Sequence, residues 1–198
     1  MNYFVAKRCF DYGLSLIGLL VFIPLMWLIA FLVIIQDGRP IFYVKKALGI
    51  YGKVFKTFKF RSMKNESLYI TKLGKMLRET AMDELPQLLT IAKGEMSFVG
   101  PRPYGVEKYG ISRDSTGEKV LPHTLIPERV AFAKRLGATP GLTGLAQLYA
   151  PKHASDEEVL RLDLKYITNK NFILDLYIIL VSFWITLKRG WEKPTRKI

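Results

Sequence analysis

Hydrophobic and polar positions alternate with different periods along the chain, and the changes of period mark its elements. Residues 14 to 35 form a run of 22 without a charged side chain, long enough to cross a bilayer as a helix. Residues 41 to 63, IFYVKKALGIYGKVFKTFKFRSM, alternate apolar with polar and basic positions and predict two strands around a Gly-containing turn. The stretch ITKLGKMLRETA, 70 to 81, predicts a short helix. In residues 84 to 93, Leu85, Leu88, Leu89 and Ala92 fall at i, i+3, i+4 and i+7, which predicts another helix, ended by Gly94. Residues 110 to 128, with Gly, Pro, Ser and mixed charges, read as a loop. SDEEVLRLDLKYI, 155 to 167, opens on a capping box, Ser155 to Glu158, and continues as a helix. The expected fold class is α+β, helix-rich with a small β-hairpin, divided into an apolar N-terminal segment (1–40) and a second unit (41–198).

The apolar run has two readings, both open at this stage. Pro24 sits near its middle and removes a backbone hydrogen bond there. Both flanks are basic, Lys7 and Arg8 before it and Arg39, Lys45 and Lys46 after it, so charge asymmetry assigns no direction across a membrane. A single span fits the length. A helix-break-helix that enters and leaves one leaflet fits the flanks. A second apolar stretch, 172 to 191, is interrupted by Asp175, and its clean run to Leu187 is too short to span. Trp184, Lys188, Arg189 and Trp191 suit a headgroup region, so it reads either as an amphipathic helix lying in the interface or as a buried core helix.

Charge narrows the partners. The net charge is +13, and from Lys45 to Arg78 ten basic residues face one acid, Glu66. That excess selects anionic partners: nucleic acid, anionic lipid or phosphorylated substrates. A single cysteine, Cys9, excludes an internal disulfide, and with only His123 and His153 beside it the chain is poor in ligands for a His/Cys zinc site. Any metal is therefore a hard ion held by carboxylate oxygen.

Four motifs carry candidate chemistry. In AMDELPQLL, Asp83 is placed as an N-cap with Glu84 in the first helical turn and Pro86 tolerated there. This structural role is sufficient alone. A carboxylate is also a competent nucleophile toward phosphorus, and a neighbouring carboxylate can hold a magnesium ion. In FKFRSM, strand alternation puts Lys59 and Arg61 on one face, either a solvated edge or a phosphate clamp. In GPRP, Arg102 is held between Pro101 and Pro103, either a rigid turn or a fixed guanidinium for a phosphate. TPGLTGLAQL, 139 to 148, is a Pro-Gly turn that could admit a phosphate but matches neither a Walker loop nor a dinucleotide fingerprint.

Taken in order, the apolar segment with Pro24, FKFRSM, LRETAMDELPQLL, KGEMSFVGPRP, TPGLTGLAQ, LDLKY and FILDL resemble the bacterial sugar transferases, the small monotopic phosphoglycosyl transferases, over nearly the whole chain. The resemblance implies transfer of a phospho-sugar from a UDP-sugar to a polyprenol phosphate, usually undecaprenyl phosphate, with release of UMP. It implies that Asp83 attacks the sugar-linked phosphate to form a covalent intermediate and that Glu84, with Asp83, holds Mg2+. It assigns Lys59, Arg61, Arg78 and Arg102 to phosphate binding. Pro101, Pro103, Gly141, Thr143 and Gln147 would form a substrate-binding loop. Pro24 becomes the break of a re-entrant membrane helix, with the catalytic domain on the cytosolic face of the bacterial inner membrane. Membrane lipid is an expected partner, nucleic acid is not, and a homodimer is left open. The chain departs from the family at Ile23 (often Ser), Thr139 (commonly Arg), Leu145 (frequently Trp) and in a longer stretch from Tyr104 to Ala138.

The competing reading is a membrane-anchored basic module that binds nucleic acid or anionic lipid without catalysis. VFKTFKFR, with aromatics among basic residues, imitates single-strand binders, but no RNP, zinc or helix-turn-helix pattern accompanies it.

Overall fold

A computed structural model of the chain describes residues 2–64, 69–106, 112–113, 119–120, 126–151, 153–188 and 191. The elements run α1 (Tyr3–Asp37), β1 (Phe42–Leu48), β2 (Val54–Phe60), α2 (Lys72–Glu79), α3 (Gln87–Lys93), β3 (Ser97–Val99), β4 (Tyr104–Gly105), β5 (Ser112–Arg113), β6 (Lys119–Val120), α4 (Ile126–Leu136), β7 (Gly141–Thr143), α5 (Leu145–Tyr149), α6 (Asp156–Asn169) and α7 (Phe172–Leu187). Two 3-10 turns, Ile50–Gly52 and Met82–Glu84, join strands and helices.

The predicted hairpin forms. β1 and β2 pair antiparallel from Phe42 opposite Phe60 to Leu48 opposite Val54, and β4 adds to the other edge of β1 through Leu48 and Tyr104. Alternation puts Phe55 and Thr57 inward, with Phe55 meeting Leu88, Ile91 and Met96 around α3. On the opposite face Phe60 is buried against Ile29 and Val33 of α1 and Leu73 and Leu77 of α2. Each such burial contributes roughly 1.5–3 kcal/mol. A parallel pair, β3 with β7, brings Ser97 opposite Gly141 and Val99 opposite Thr143. Val99 then joins Leu145, Leu148, Tyr166, Ile178 and Ile185 in a separate core under α5, α6 and α7.

The α1 helix is assigned as one element from Tyr3 to Asp37, with Pro24 inside it. Pro24 withholds one N–H from the ladder, in a turn, Leu20 to Pro24, that is exposed on every side. Leu25, Met26, Ile29 and Val33 pack over α2 and β2, and Gly18 and Leu19 lie over α3. Near its start, Tyr3 and Lys7 donate to the Asp175 carboxylate at 2.9 and 2.8 Å, and Asp11 accepts from the Phe98 N–H at 3.1 Å. Near its end, Asp37 accepts from the Thr71 hydroxyl at 3.1 Å. The helix, roughly 50 Å long at 1.5 Å per residue, is therefore tied to the domain towards both ends, while Leu20 to Pro24 are exposed all round. The remaining face is apolar and exposed, including Ile17, Leu20, Val21, Trp27, Phe31 and Ile35.

The α7 helix has one face in the core and another exposed. Ile178 and Ile185 are buried in the core, whereas Ile173, Leu180, Phe183 and Leu187 are exposed. It is apolar all round rather than amphipathic. The single acid, Asp175, points inward, where Tyr166 and Lys7 satisfy it. Phe10 of α1 and Phe172 of α7 meet edge to face, so the two exposed apolar surfaces adjoin.

The capping box at α6 is present in both directions between Ser155 and Glu158. Residues 110–128, expected as loop, include the short β5–β6 pair and the first residues of α4. The remainder of that stretch lies outside the described residues.

Candidate functional site

The dyad does not cap a helix as its spacing predicts. Asp83 and Glu84 lie in the Met82–Glu84 turn, and α3 begins only at Gln87, with Pro86 in the cap position and no side-chain cap. Pro86 would stand three residues after an Asp83 cap, and without an N–H it gives that carboxylate nothing to accept there. The segment closes instead with tighter bonds, Glu84 N–H to Ala81 O at 3.1 Å and Leu85 N–H to Met82 O at 3.3 Å. Ala81, just upstream, adopts φ 52°, ψ 18°, a left-handed conformation unusual for a residue with a Cβ. Such local strain is held by surrounding structure and concentrates at functional sites. The change of start also rotates α3, so that Leu88 and Ile91 are buried while Leu89, expected on the apolar face, is exposed.

With no capping duty, the Asp83 carboxyl is available for other chemistry. It is buried, at 8% exposure. Burial first, and then the neighbouring Glu84 charge, push its pKa up to about 6, while Lys59 and Arg78 pull it down. Glu84 is more exposed and pairs with the Lys59 ammonium. Lys59 reaches it because alternation along β2 puts it on the same face as Phe55 and Thr57, toward α3. Arg78 comes from the last turn of α2. Four expected site residues, Lys59, Arg78, Asp83 and Glu84, thus converge from β2, α2 and the 3-10 turn.

Arg61 is placed elsewhere. Its guanidinium donates to the carbonyls of Asp37, Gly38 and Arg39, the last at 2.9 Å and Gly38 at 2.8 Å. It caps the C-terminal end of α1, where the helix dipole favours a cation. Arg61 thus reaches the end of α1: β2 ends at Phe60, and the chain beyond it turns toward α1.

The glycine turn is also reassigned. A Cβ at Gly141 would meet the Gly100 nitrogen at 2.0 Å, and one at Gly144 would meet the Gly100 carbonyl oxygen at 2.2 Å. These glycines admit the backbone of the GPRP segment. Gly100 N–H donates to Thr143 O at 2.9 Å, and Gly141 N–H donates to Pro101 O at 2.8 Å. Thr143 is buried with its hydroxyl 2.6 Å from that of Ser182 on α7, and Gln147 donates to Gly141 O at 3.4 Å. Gly141, Thr143 and Pro101 therefore brace the loop from beneath, and Gln147 holds their turn. Pro103 is half-buried, and the Arg102 side chain above them is exposed.

Two buried partners of this loop escaped the sequence reading. Arg135 on α4 donates from Nε to Asp163 of α6 at 2.7 Å and from Nη2 to the Arg102 carbonyl. Its guanidinium lies 3.8 Å from the centre of the Tyr104 ring. A signal for the pair existed: Val159, Leu162, Asp163 and Tyr166 share one helical face, and an acid on an apolar face requires a buried partner.

A family model for bacterial sugar transferases matches residues 2–189. The chain belongs to the bacterial sugar transferases. This sugar transferase is 32% identical, over 94% of its length, to the exopolysaccharide production protein PSS of Rhizobium leguminosarum bv. phaseoli, of which it covers 97%. It is 32% identical over 90% of its length to the uncharacterized sugar transferase EpsL of Bacillus subtilis (strain 168), of which it covers 85%. It is 33% identical over 91% of its length to the UDP-glucose:undecaprenyl-phosphate glucose-1-phosphate transferase of Xanthomonas campestris pv. campestris, and spans 39% of that longer protein.

The sugar transferase's donor set fits magnesium in one way only. Among the described residues no group of three or more His, Cys, Asp or Glu side chains converges. Two adjacent carboxylates remain, Asp83 and Glu84. Magnesium is commonly held by one or two carboxylates together with substrate phosphates and water. The like-charge repulsion that raises Asp83 is the kind of repulsion a bound cation relieves.

Proposed function

We propose that this sugar transferase moves a sugar 1-phosphate from a UDP-sugar to a polyprenol phosphate, undecaprenyl phosphate, and releases UMP. The observation that carries the reading is Asp83: a buried carboxylate, relieved of helix capping, beside Glu84 and within the fields of Lys59 and Arg78. The names of relatives such as the Xanthomonas enzyme support the donor and acceptor classes.

In the proposed reaction an Asp83 carboxylate oxygen attacks the sugar-linked phosphorus of the donor. The bond from that phosphorus to the bridging oxygen breaks, and UMP leaves with the electron pair. An acyl phosphate now joins Asp83 to the sugar phosphate. An oxygen of the polyprenol phosphate then attacks the same phosphorus and frees the carboxylate. One phosphoanhydride is exchanged for another, so the barrier is chiefly the approach of anionic groups. Lys59, Arg78 and Arg102 lower it by offsetting phosphate charge. A raised pKa makes the Asp83 carboxylate a better nucleophile than an ordinary aspartate and still leaves it mostly ionised at neutral pH. A magnesium ion held by Asp83 and Glu84 would supply further charge neutralisation of the diphosphate.

The proposed location is the cytosolic face of the bacterial inner membrane. The α1 helix is long and apolar enough to cross a membrane. Its two ends, however, bond to the same domain, at Asp175 and at Thr71. A helix so attached cannot leave its ends on opposite sides. We place it within one leaflet, its exposed apolar face and that of α7 in lipid and the acceptor's phosphate at the height of Asp83.

The test is incubation of the purified chain with undecaprenyl phosphate and a panel of UDP-sugars. Magnesium-dependent UMP release with at least one donor is expected. No release across a broad panel, from protein shown to be folded, contradicts the reading.

A further inference from the structure

The long segment between Tyr104 and Ala138 has no obvious place in the chemistry, yet its described part ends in a residue that touches the GPRP loop. Arg135 is buried at 4% exposure and its partner Asp163 at 1%. A buried ion pair needs excellent geometry to offset desolvation, and it is weak evidence for stability alone. Here the arginine does more than neutralise an acid. Its Nε binds Asp163, its Nη2 binds the carbonyl of Arg102, and its flat face covers the ring of Tyr104. We infer that Arg135, anchored by Asp163, is a positioning residue that fixes the backbone of Arg102 so that its guanidinium is aimed at the donor's phosphates.

Every residue of the segment is tied. Gly100 bonds to Thr143, Pro101 accepts from Gly141, and Pro103 has a locked φ. Tyr104 pairs with Leu48 in the sheet and lies under Arg135. The Arg102 peptide depends on side chains from outside the neighbouring strands, its carbonyl on Arg135 and its N–H on the Asp163 carboxylate. A lysine cannot replace Arg135 in this task. Its single ammonium can keep the ion pair, but it has no planar fork to reach the carboxylate and the carbonyl together while stacking on a ring. The arrangement links α4 and α6 to the site without either helix contributing a group to it.

This inference rests on the reading of Arg102 as a phosphate ligand, and the experiment separates the two. The full chain in detergent or nanodiscs is compared with Arg135→Lys, with the double variant Arg135→Met/Asp163→Leu, and with each of these combined with Arg102→Ala. The apolar pair replaces a buried ion pair and is expected to fold. UMP release is followed as kcat and KM, alongside melting temperature and amide exchange over residues 99–105 without substrate.

Both Arg135 variants are expected to keep their melting transition and raise exchange over 99–105. Each should lose about 10- to 100-fold in kcat/KM, the scale on which small misplacements act. In the Arg102→Ala background the further loss should be below about twofold, since nothing remains to be positioned. An equal loss in both backgrounds, full rescue by Arg135→Lys, or unchanged exchange over 99–105 would each overturn the inference. If Arg102→Ala alone leaves UMP release intact, the reading of Arg102 fails and the positioning role fails with it. If no donor supports turnover, the exchange measurement still decides whether Arg135 fixes the loop.

Discussion

Lys59 on β2 forms an ion pair with Glu84, the residue next to the buried Asp83. The pair places two opposed charges beside one carboxyl: Glu84 raises the Asp83 pKa and Lys59 lowers it. If Asp83 must be ionised to attack phosphorus, kcat/KM should rise with pH through its folded-state pKa, about 6 without metal and lower with a bound cation. Glu84→Gln removes a like charge and should move that rise to lower pH. Lys59→Met removes an opposite charge and should move it to higher pH. A pH profile of UMP release for the three proteins checks the signs, using residual activity in the variants. A midpoint that ignores both changes would mean that Asp83 is not the titrating group.

The same burial has a stability cost. The folded-state pKa of Asp83, about 6, lies above its ordinary value of 3.8, so the folded protein binds the proton more tightly than the unfolded chain does. Stability therefore falls as pH rises from about 4 to about 6 and stays lowered above that. Asp83→Asn removes the penalty. At neutral pH it should stabilise the chain by up to about 3 kcal/mol, from a shift of about two units, while abolishing turnover. Below about pH 4 the gain should vanish. Thermal melts of both proteins across pH test this. A destabilised Asp83→Asn at neutral pH would mean that the carboxylate holds the fold together.

Arg61 joins the end of α1 to the sheet. Arg61→Met leaves carbonyls of Asp37, Gly38 and Arg39 without their charged donor and should cost about 2–4 kcal/mol. The KM for donor, measured on folded protein, should change less than about twofold. A raised KM with an unchanged melting temperature would instead make Arg61 a phosphate ligand.

Attachment of both ends of α1 to one domain predicts topology. Tags at the N-terminus and the C-terminus should be cut by added protease only in inverted membrane vesicles, never in intact spheroplasts. An N-terminal tag accessible from the outside alone would restore the spanning helix.

The hairpin, the α2 and α6 helices and the capping box were legible in the sequence because period and local capping are short-range signals. The dyad was legible as chemistry but not as geometry: spacing put Asp83 at a helix cap, but Pro86 offers that cap no N–H, and α3 starts only at Gln87. Glycines at 141 and 144 looked like a phosphate turn, and only the approach of Gly100, some forty residues away, explains them. Arg61 read as the neighbour of Lys59 because strand alternation says nothing of where a strand ends. Arg135 is the clearest omission. Its partners, Arg102, Tyr104 and Asp163, lie on three other segments, and such pairing is a property of the tertiary fold.

The central claim is that the Asp83 carboxylate becomes bonded to phosphorus during turnover. Peptide mass spectrometry of enzyme quenched with an active UDP-sugar, in the absence of acceptor, measures it directly. A sugar-phosphate mass increment on the peptide carrying Asp83, absent in Asp83→Asn and discharged by added polyprenol phosphate, is the predicted result. Repeated failure to find that adduct under conditions where UMP is released would contradict the account.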